Sequence, residues 1–180
     1  MTRIDAAPPR APWRRSLALL LALLLTVTGM TLAAPAVAAT TEVSFFGSEK
    51  PAVTAFGDSG AVELGLTIVP AVSGTVTGIR FYKGAGNTGT HTGSLWSASG
   101  QRLAKVTFAN ETASGWQVAR FSTPVKVTKG TRYVASYYAP RGHYAAATSA
   151  FTTAVTRGVL TAPANAGVYA YGASGFPKSS

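Results

Sequence analysis

The chain has 180 residues, with 16 Lys and Arg against 6 Asp and Glu, a formal net charge of +10 and no cysteine. Without cysteine there are no disulfides, no thiolate metal sites and no cysteine nucleophile. The positive surplus favours anionic surroundings such as wall polymers, acidic glycans, nucleic acid or lipid headgroups, but the charges are spread singly, without a run of like sign.

The first segment carries Arg3, Arg10, Arg14 and Arg15, then the apolar run Leu17 to Val27, then small residues from Ala33 to Ala39. That order is expected of a secretory signal peptide over residues 1–38, with cleavage after Ala38 or Ala39. The apolar run falls short of the ~20 residues a membrane-spanning helix needs, so the mature chain is expected to carry no membrane span. The remainder, 39–180, is the size of a single domain. It keeps 12 basic and 5 acidic side chains, a net charge of +7. The expected location is extracellular, either secreted or at the cell surface.

Val62, Leu64, Leu66 and Ile68 alternate with Glu63, Gly65 and Thr67, the two-residue period of a strand with one buried face. Thr75 to Lys83 continues in β-branched and aromatic residues, with Ile79 and Phe81 on one face and Arg80 and Tyr82 on the other. Short strands are expected at Ser94–Ser97 and Leu103–Phe108 around the turn at Ala98-Ser99-Gly100, and then at Trp116–Phe121 and Val125–Val127. Thr131 to Tyr138 follows, with Tyr133, Ala135 and Tyr137 on one side. Beyond Ala139 regular alternation fades, and Phe151 and Gly167–Gly172 are the places for one or two further strands. Apolar spacing of helical period is absent over any helical length after the leader. The expected fold is an all-β antiparallel β-sandwich, jelly-roll or immunoglobulin-like.

Gly84, Gly86 and Gly89 spell a G-x-G-x-x-G pattern. A dinucleotide site needs a helix starting at those glycines, because its N-terminal N–H groups hold the pyrophosphate. Here Thr90, His91, Thr92 and Gly93 lead into a strand instead, so no nucleotide is expected and the glycines belong to a hairpin connection. The run from Gly74 to Trp96, then Glu111 to Gln117, Tyr133 to Ala145 and Gly167 to Gly172, resembles the bacterial domain of unknown function 4082 over roughly Val43 to Pro177. The resemblance implies a secreted β-sandwich module of the kind found beside immunoglobulin-like, fibronectin-like or glycan-active domains in surface and exported proteins. It also implies a closing strand after Pro177 that this chain lacks, leaving the domain either truncated or completed by a strand from another molecule.

The five carboxylates Glu42, Glu49, Asp58, Glu63 and Glu111 are not paired in sequence as a glycosidase would pair two of them. A G-x-S-x-G elbow is absent too, so no enzymatic activity and no cofactor are expected. His91 and His143, without cysteine or an adjacent carboxylate, make a poor zinc site. Two loops are rich in groups that sugar hydroxyls use. Tyr82, Lys83, Asn87 and His91 lie in or beside the glycine loop; Tyr138, His143 and Tyr144 lie in or beside the loop after the 131–138 strand. The plainer reading of His91 is a loop residue whose ring bonds a nearby backbone carbonyl. Trp96 and Trp116 read as buried anchors. The expected function is a secreted non-catalytic accessory module with weak carbohydrate binding, its partner a glycan or anionic wall polymer and no specific nucleic acid. The alternative is a structural or adhesive module that contacts protein.

Overall fold

The computed structural model describes residues 41–147 and 149–180, so the leader expected at 1–38 lies outside the described residues. Nine strands are present among them, with no α-helix: β1 (Val62–Pro70), β2 (Gly74–Lys83), β3 (Thr92–Ser97), β4 (Arg102–Thr107), β5 (Gly115–Val127), β6 (Tyr133–Ala139), β7 (Val155–Arg157), β8 (Leu160–Ala162) and β9 (Gly167–Tyr171). They form an antiparallel β-sandwich. A seven-stranded sheet runs β4-β3-β6-β1-β8-β7, with β9 on the other half of β1, and faces a two-stranded β2-β5 sheet. First pairs with sixth, second with fifth and third with fourth. This nesting is what a long hairpin adopts when it rolls over on itself, as in jelly rolls.

The period of two sets the layers. Ile68 of β1, Ile79 and Phe81 of β2, Leu95 of β3, Ala119, Phe121 and Val127 of β5 and Tyr133 of β6 turn inward as one buried cluster, joined by Phe108. Each large side chain of that set stabilises the fold by about 1.5–3 kcal/mol through burial. Phe45, Ala162 and Ala166 form a second cluster.

Two expectations about strands need correction. Val125–Val127 is not a separate strand but the end of β5, and the irregularity opposite Val76–Gly78 falls where Pro124 has no N–H to donate. The β7–β8 hairpin went unanticipated because three residues are too few to show alternation. Phe151 is in no strand; its ring packs on Phe45, 6.0 Å between centroids.

The outer face of the large sheet is covered by the segment after β9. Phe176 packs against Trp96, and a side chain at Gly65 would meet Pro177 at 2.9 Å. Beneath this cover Trp96 Nε1 donates to Ser136 Oγ (2.8 Å), Ser136 donates to Glu63 Oε1 (2.6 Å) and Ser174 donates to Glu63 Oε2 (2.8 Å). Glu63 has no exposed surface. Burial raises its carboxyl above the ordinary value of 4.5, partly offset by the two serine hydroxyls and the charge of Lys105. A raised folded pKa means that the native state holds the proton more tightly than the unfolded chain. The stability this group contributes is therefore complete below the ordinary carboxylate range and is lost as pH rises through the elevated value. Glu63→Gln is expected to gain on the wild type steadily from pH 4 to pH 8 in thermal melts. Parallel melting curves across that range would contradict the assignment.

Candidate functional site at the loop end of the sandwich

The ends of β2, β6 and β9 and the beginnings of β1, β3 and β5 meet at one pole. The glycine loop 84–91 and the loop after β6 lie side by side there. A Cβ on Gly86 would sit 3.0 Å from the His143 ring, and one on Gly89 would sit 2.8 Å from Pro140. Gly84 is tighter still, since a Cβ there would lie 1.8 Å from the Thr54 carbonyl oxygen. The glycines allow three segments of backbone to pack closely. After Gly89 the chain enters β3, not a helix.

Under these loops lies a buried polar network. His91 Nδ1 is 2.8 Å from both Glu111 carboxylate oxygens, and its Nε2 is 2.8 Å from Asn87 Oδ1. Lys83 Nζ donates to Glu111 Oε2 at 2.8 Å. Asn87 Nδ2 reaches the Tyr137 hydroxyl, whose ring stacks on Phe81 at 4.2 Å. Burial pushes the Tyr137 hydroxyl pKa upward, so it stays a neutral partner. Asn87 and His91 have no exposed surface, and the Lys83 and Glu111 side chains are only 13% and 12% exposed. Asn87 and His91, expected as ligand contacts, instead hold the loop to the core. The reason is physical: both ring nitrogens of His91 are already engaged and the ring packs on Phe81.

The other expected contacts fall on several surfaces. Tyr82 is half-buried on the outer face of β2, edge-on to Trp116. Trp116 also carries the Arg80 guanidinium over its ring at 4.2 Å and stacks with Phe46. Tyr138 is half-buried on the outer face of the large sheet, where its register partners are Glu63 and Thr92. His143 and Tyr144 remain at the loop pole. His143 adopts φ 49°, and its N–H donates to the Asp58 carbonyl.

At that pole the structure assembles residues that sequence reasoning did not single out as site residues. Phe56 stacks on Tyr144 with ring centroids 5.5 Å apart and planes 16° apart. Asp58 accepts from the Gly60 N–H and from the Tyr171 and Tyr144 hydroxyls. Those bonds, Tyr171 first, hold the Asp58 carboxyl below its usual value, so it is charged at neutral pH. Tyr171 is 58% exposed and Phe56 41%. Tyr169 packs edge-on against Tyr171. The available signals were the Asp58-Ser59-Gly60 turn and the Tyr169-Ala170-Tyr171 alternation, but neither says that the two segments meet. The result is a half-buried carboxylate held by two tyrosine hydroxyls, with the exposed rings of Phe56 and Tyr171 close to it in the fold.

Each of the five carboxylates among the described residues is engaged by donors. Besides the three already placed, Arg120 holds Glu42, bringing its carboxyl down to about 2, and Arg157 holds Glu49. Among the described residues no group of three His, Asp and Glu is arranged to hold a metal ion.

Fold and surface together define an antiparallel β-sandwich domain whose strand ends gather two polar, aromatic loops. The model of the family described as Domain of unknown function (DUF4082) matches residues 48–180, and the chain belongs to that family. No curated protein and no solved structure is significantly similar to it.

Proposed function

We propose that this is an exported, non-catalytic accessory module that binds a glycan weakly at the loop pole. The observation that carries the reading is the exposed Phe56, stacked on the half-buried Tyr144, with the exposed Tyr171 beside the Asp58 carboxylate. Flat aromatic faces pack against the C–H faces of pyranose rings, and a charged carboxylate accepts strongly from sugar hydroxyls. Arg141, exposed in the same loop, adds a donor at the rim. Asp58 is the one described carboxylate bonded to these aromatic residues, whereas hydrolysis needs two carboxyl groups facing a sugar, which supports a binding role. His143 and Tyr144 are the expected site residues retained in this reading. Asn87, His91 and Lys83 support the loops from below.

Retention on insoluble polysaccharide, competed by soluble sugar, tests it. Tyr171→Ala is expected to weaken binding about tenfold, roughly 1.4 kcal/mol, without altering the melting temperature by more than a few degrees. Folded protein that no glycan retains, or retention that soluble sugar leaves unchanged, would point to a protein-contacting adhesive role instead.

A further inference from the structure

The opposite pole of the sandwich has a different chemistry. There the β3–β4 turn, the β5–β6 turn and the covering segment after β9 come together. A groove of about 320 Å³ opens between that segment and the large sheet, lined by Thr67, Arg132, Val134, Phe176, Pro177 and Lys178 among others. Arg102 is linked to this groove through Trp96: its guanidinium lies 5.6 Å over the Trp96 ring, against which the lining residue Phe176 also packs.

Arg102, Arg132 and Lys178 are all exposed, and none takes part in an ion pair among the described residues. The five carboxylates are committed elsewhere: Asp58 and Glu111 at the loop pole, Glu42 and Glu49 to their arginines, and Glu63 buried beneath the cover. Nine of the twelve Lys and Arg among the described residues make no ion pair. Two of them, Arg132 and Lys178, line this one groove with Arg102 beyond the Trp96 ring, so that the potentials of like charges add there and draw in an anion.

The walls narrow the choice of anion. Val134 and Pro177 are buried in its base, so the apolar surface it offers is that of the exposed Ala98 and the half-buried Val168, with an edge of Phe176, and Thr67 offers a hydroxyl. Phe176 is partly occupied, because its ring packs against Trp96 and over the backbone at Gly100, where a Cβ would lie 2.9 Å away. It does not stand free as a platform for a stacked nucleobase. An acidic sugar needs no free aromatic face: its C–H groups pack on the small apolar surface of Ala98 and Val168 and its carboxylates meet the cations.

We infer that this groove is a second binding surface, selective for a uronate-type acidic polysaccharide and separate from the aromatic loop pole. It does not rest on the glycan reading of that pole, and the two have different determinants. Binding here depends on Arg102, Arg132 and Lys178 and weakens with salt; binding there depends on Tyr171 and Phe56.

The test uses the full chain and measures retention on polygalacturonate, neutral galactan and a single-stranded oligothymidylate of matched charge, at low and at physiological salt. The expected result is binding to polygalacturonate that falls steeply with salt, is unaffected by Tyr171→Ala, and drops about tenfold or more in Arg132→Glu/Lys178→Glu. Arg132→Gln/Lys178→Gln, which leaves the groove uncharged at those positions but adds no repulsion, is expected to lose several-fold and gives the answer should the reversed pair fail to fold. Equal or tighter binding of the oligothymidylate would overturn the inference. So would polygalacturonate binding unchanged in folded neutralised protein, or no polygalacturonate binding by the wild type.

Discussion

Glu111→Ala is expected to lower stability by roughly 3–5 kcal/mol, the range seen when one partner of a buried ion pair is removed and the other is stranded. Here two groups are stranded together. Lys83 Nζ and His91 Nδ1 each lie 2.8 Å from the same carboxylate, and neither reaches bulk water easily, with His91 fully buried and the Lys83 side chain 13% exposed. Against a total stability of order 5–15 kcal/mol for a domain, the loss is a large share. The melting temperature is expected to fall by roughly 10 °C. Glu111→Gln keeps an acceptor for the His91 ring and should fall between the wild type and Glu111→Ala. Urea unfolding of the three proteins checks it, and a loss below about 1 kcal/mol for Glu111→Ala would show that the network does not hold the pole together.

Gly84→Ala is expected to be nearly as damaging although it adds a single methyl group. The new Cβ would lie 1.8 Å from the Thr54 carbonyl oxygen, and that obstacle is backbone, which cannot rotate away like a side chain. Relief requires the glycine loop and the 54–58 segment to separate, at about 3 kcal/mol in a packed region. Because Thr54 leads directly to Phe56 and Asp58, glycan retention should fall with stability. Gly74→Ala is the control: a Cβ at this β2 position would meet no atom within 4 Å, and its φ is not in the left-handed region, so stability should change by less than about 1 kcal/mol. If Gly84→Ala melted like Gly74→Ala, close backbone approach would not be the reason for the glycine.

Much of the fold was legible because alternation is a local property. Val62 to Ile68 and Thr75 to Lys83 each carry enough residues to display the period of two, and β1 and β2 lie where that period puts them. The Trp116 to Phe121 stretch behaves the same way, whereas Pro124 hid the continuity of β5. The three-residue strands β7 and β8 and the covering segment at 172–179 carry no such signal. What draws that segment down is a set of distant partners, Trp96, Gly65 and Glu63.

The loop residues divide along the same line. Composition marked the glycine loop and the loop after β6 as unusual, and the two do lie against each other through Gly86 and His143. Composition could not tell a surface histidine from a core one. His91 is buried because Glu111, 20 residues on, and Asn87 close over it from either side. Asp58 and Tyr171 lie 113 positions apart, so no local window contains both.

By itself, then, the order of apolar and polar residues determined that this chain forms strands, which faces of them turn inward, and that its glycines end in a hairpin connection and not at a helix. Only the tertiary structure decided which polar side chains reach solvent, which are consumed in holding the loops, and which of the unpaired cations line one groove. The reason is range: side-chain alternation acts between neighbours two residues apart, whereas burial and charge pairing depend on partners that folding alone brings within contact.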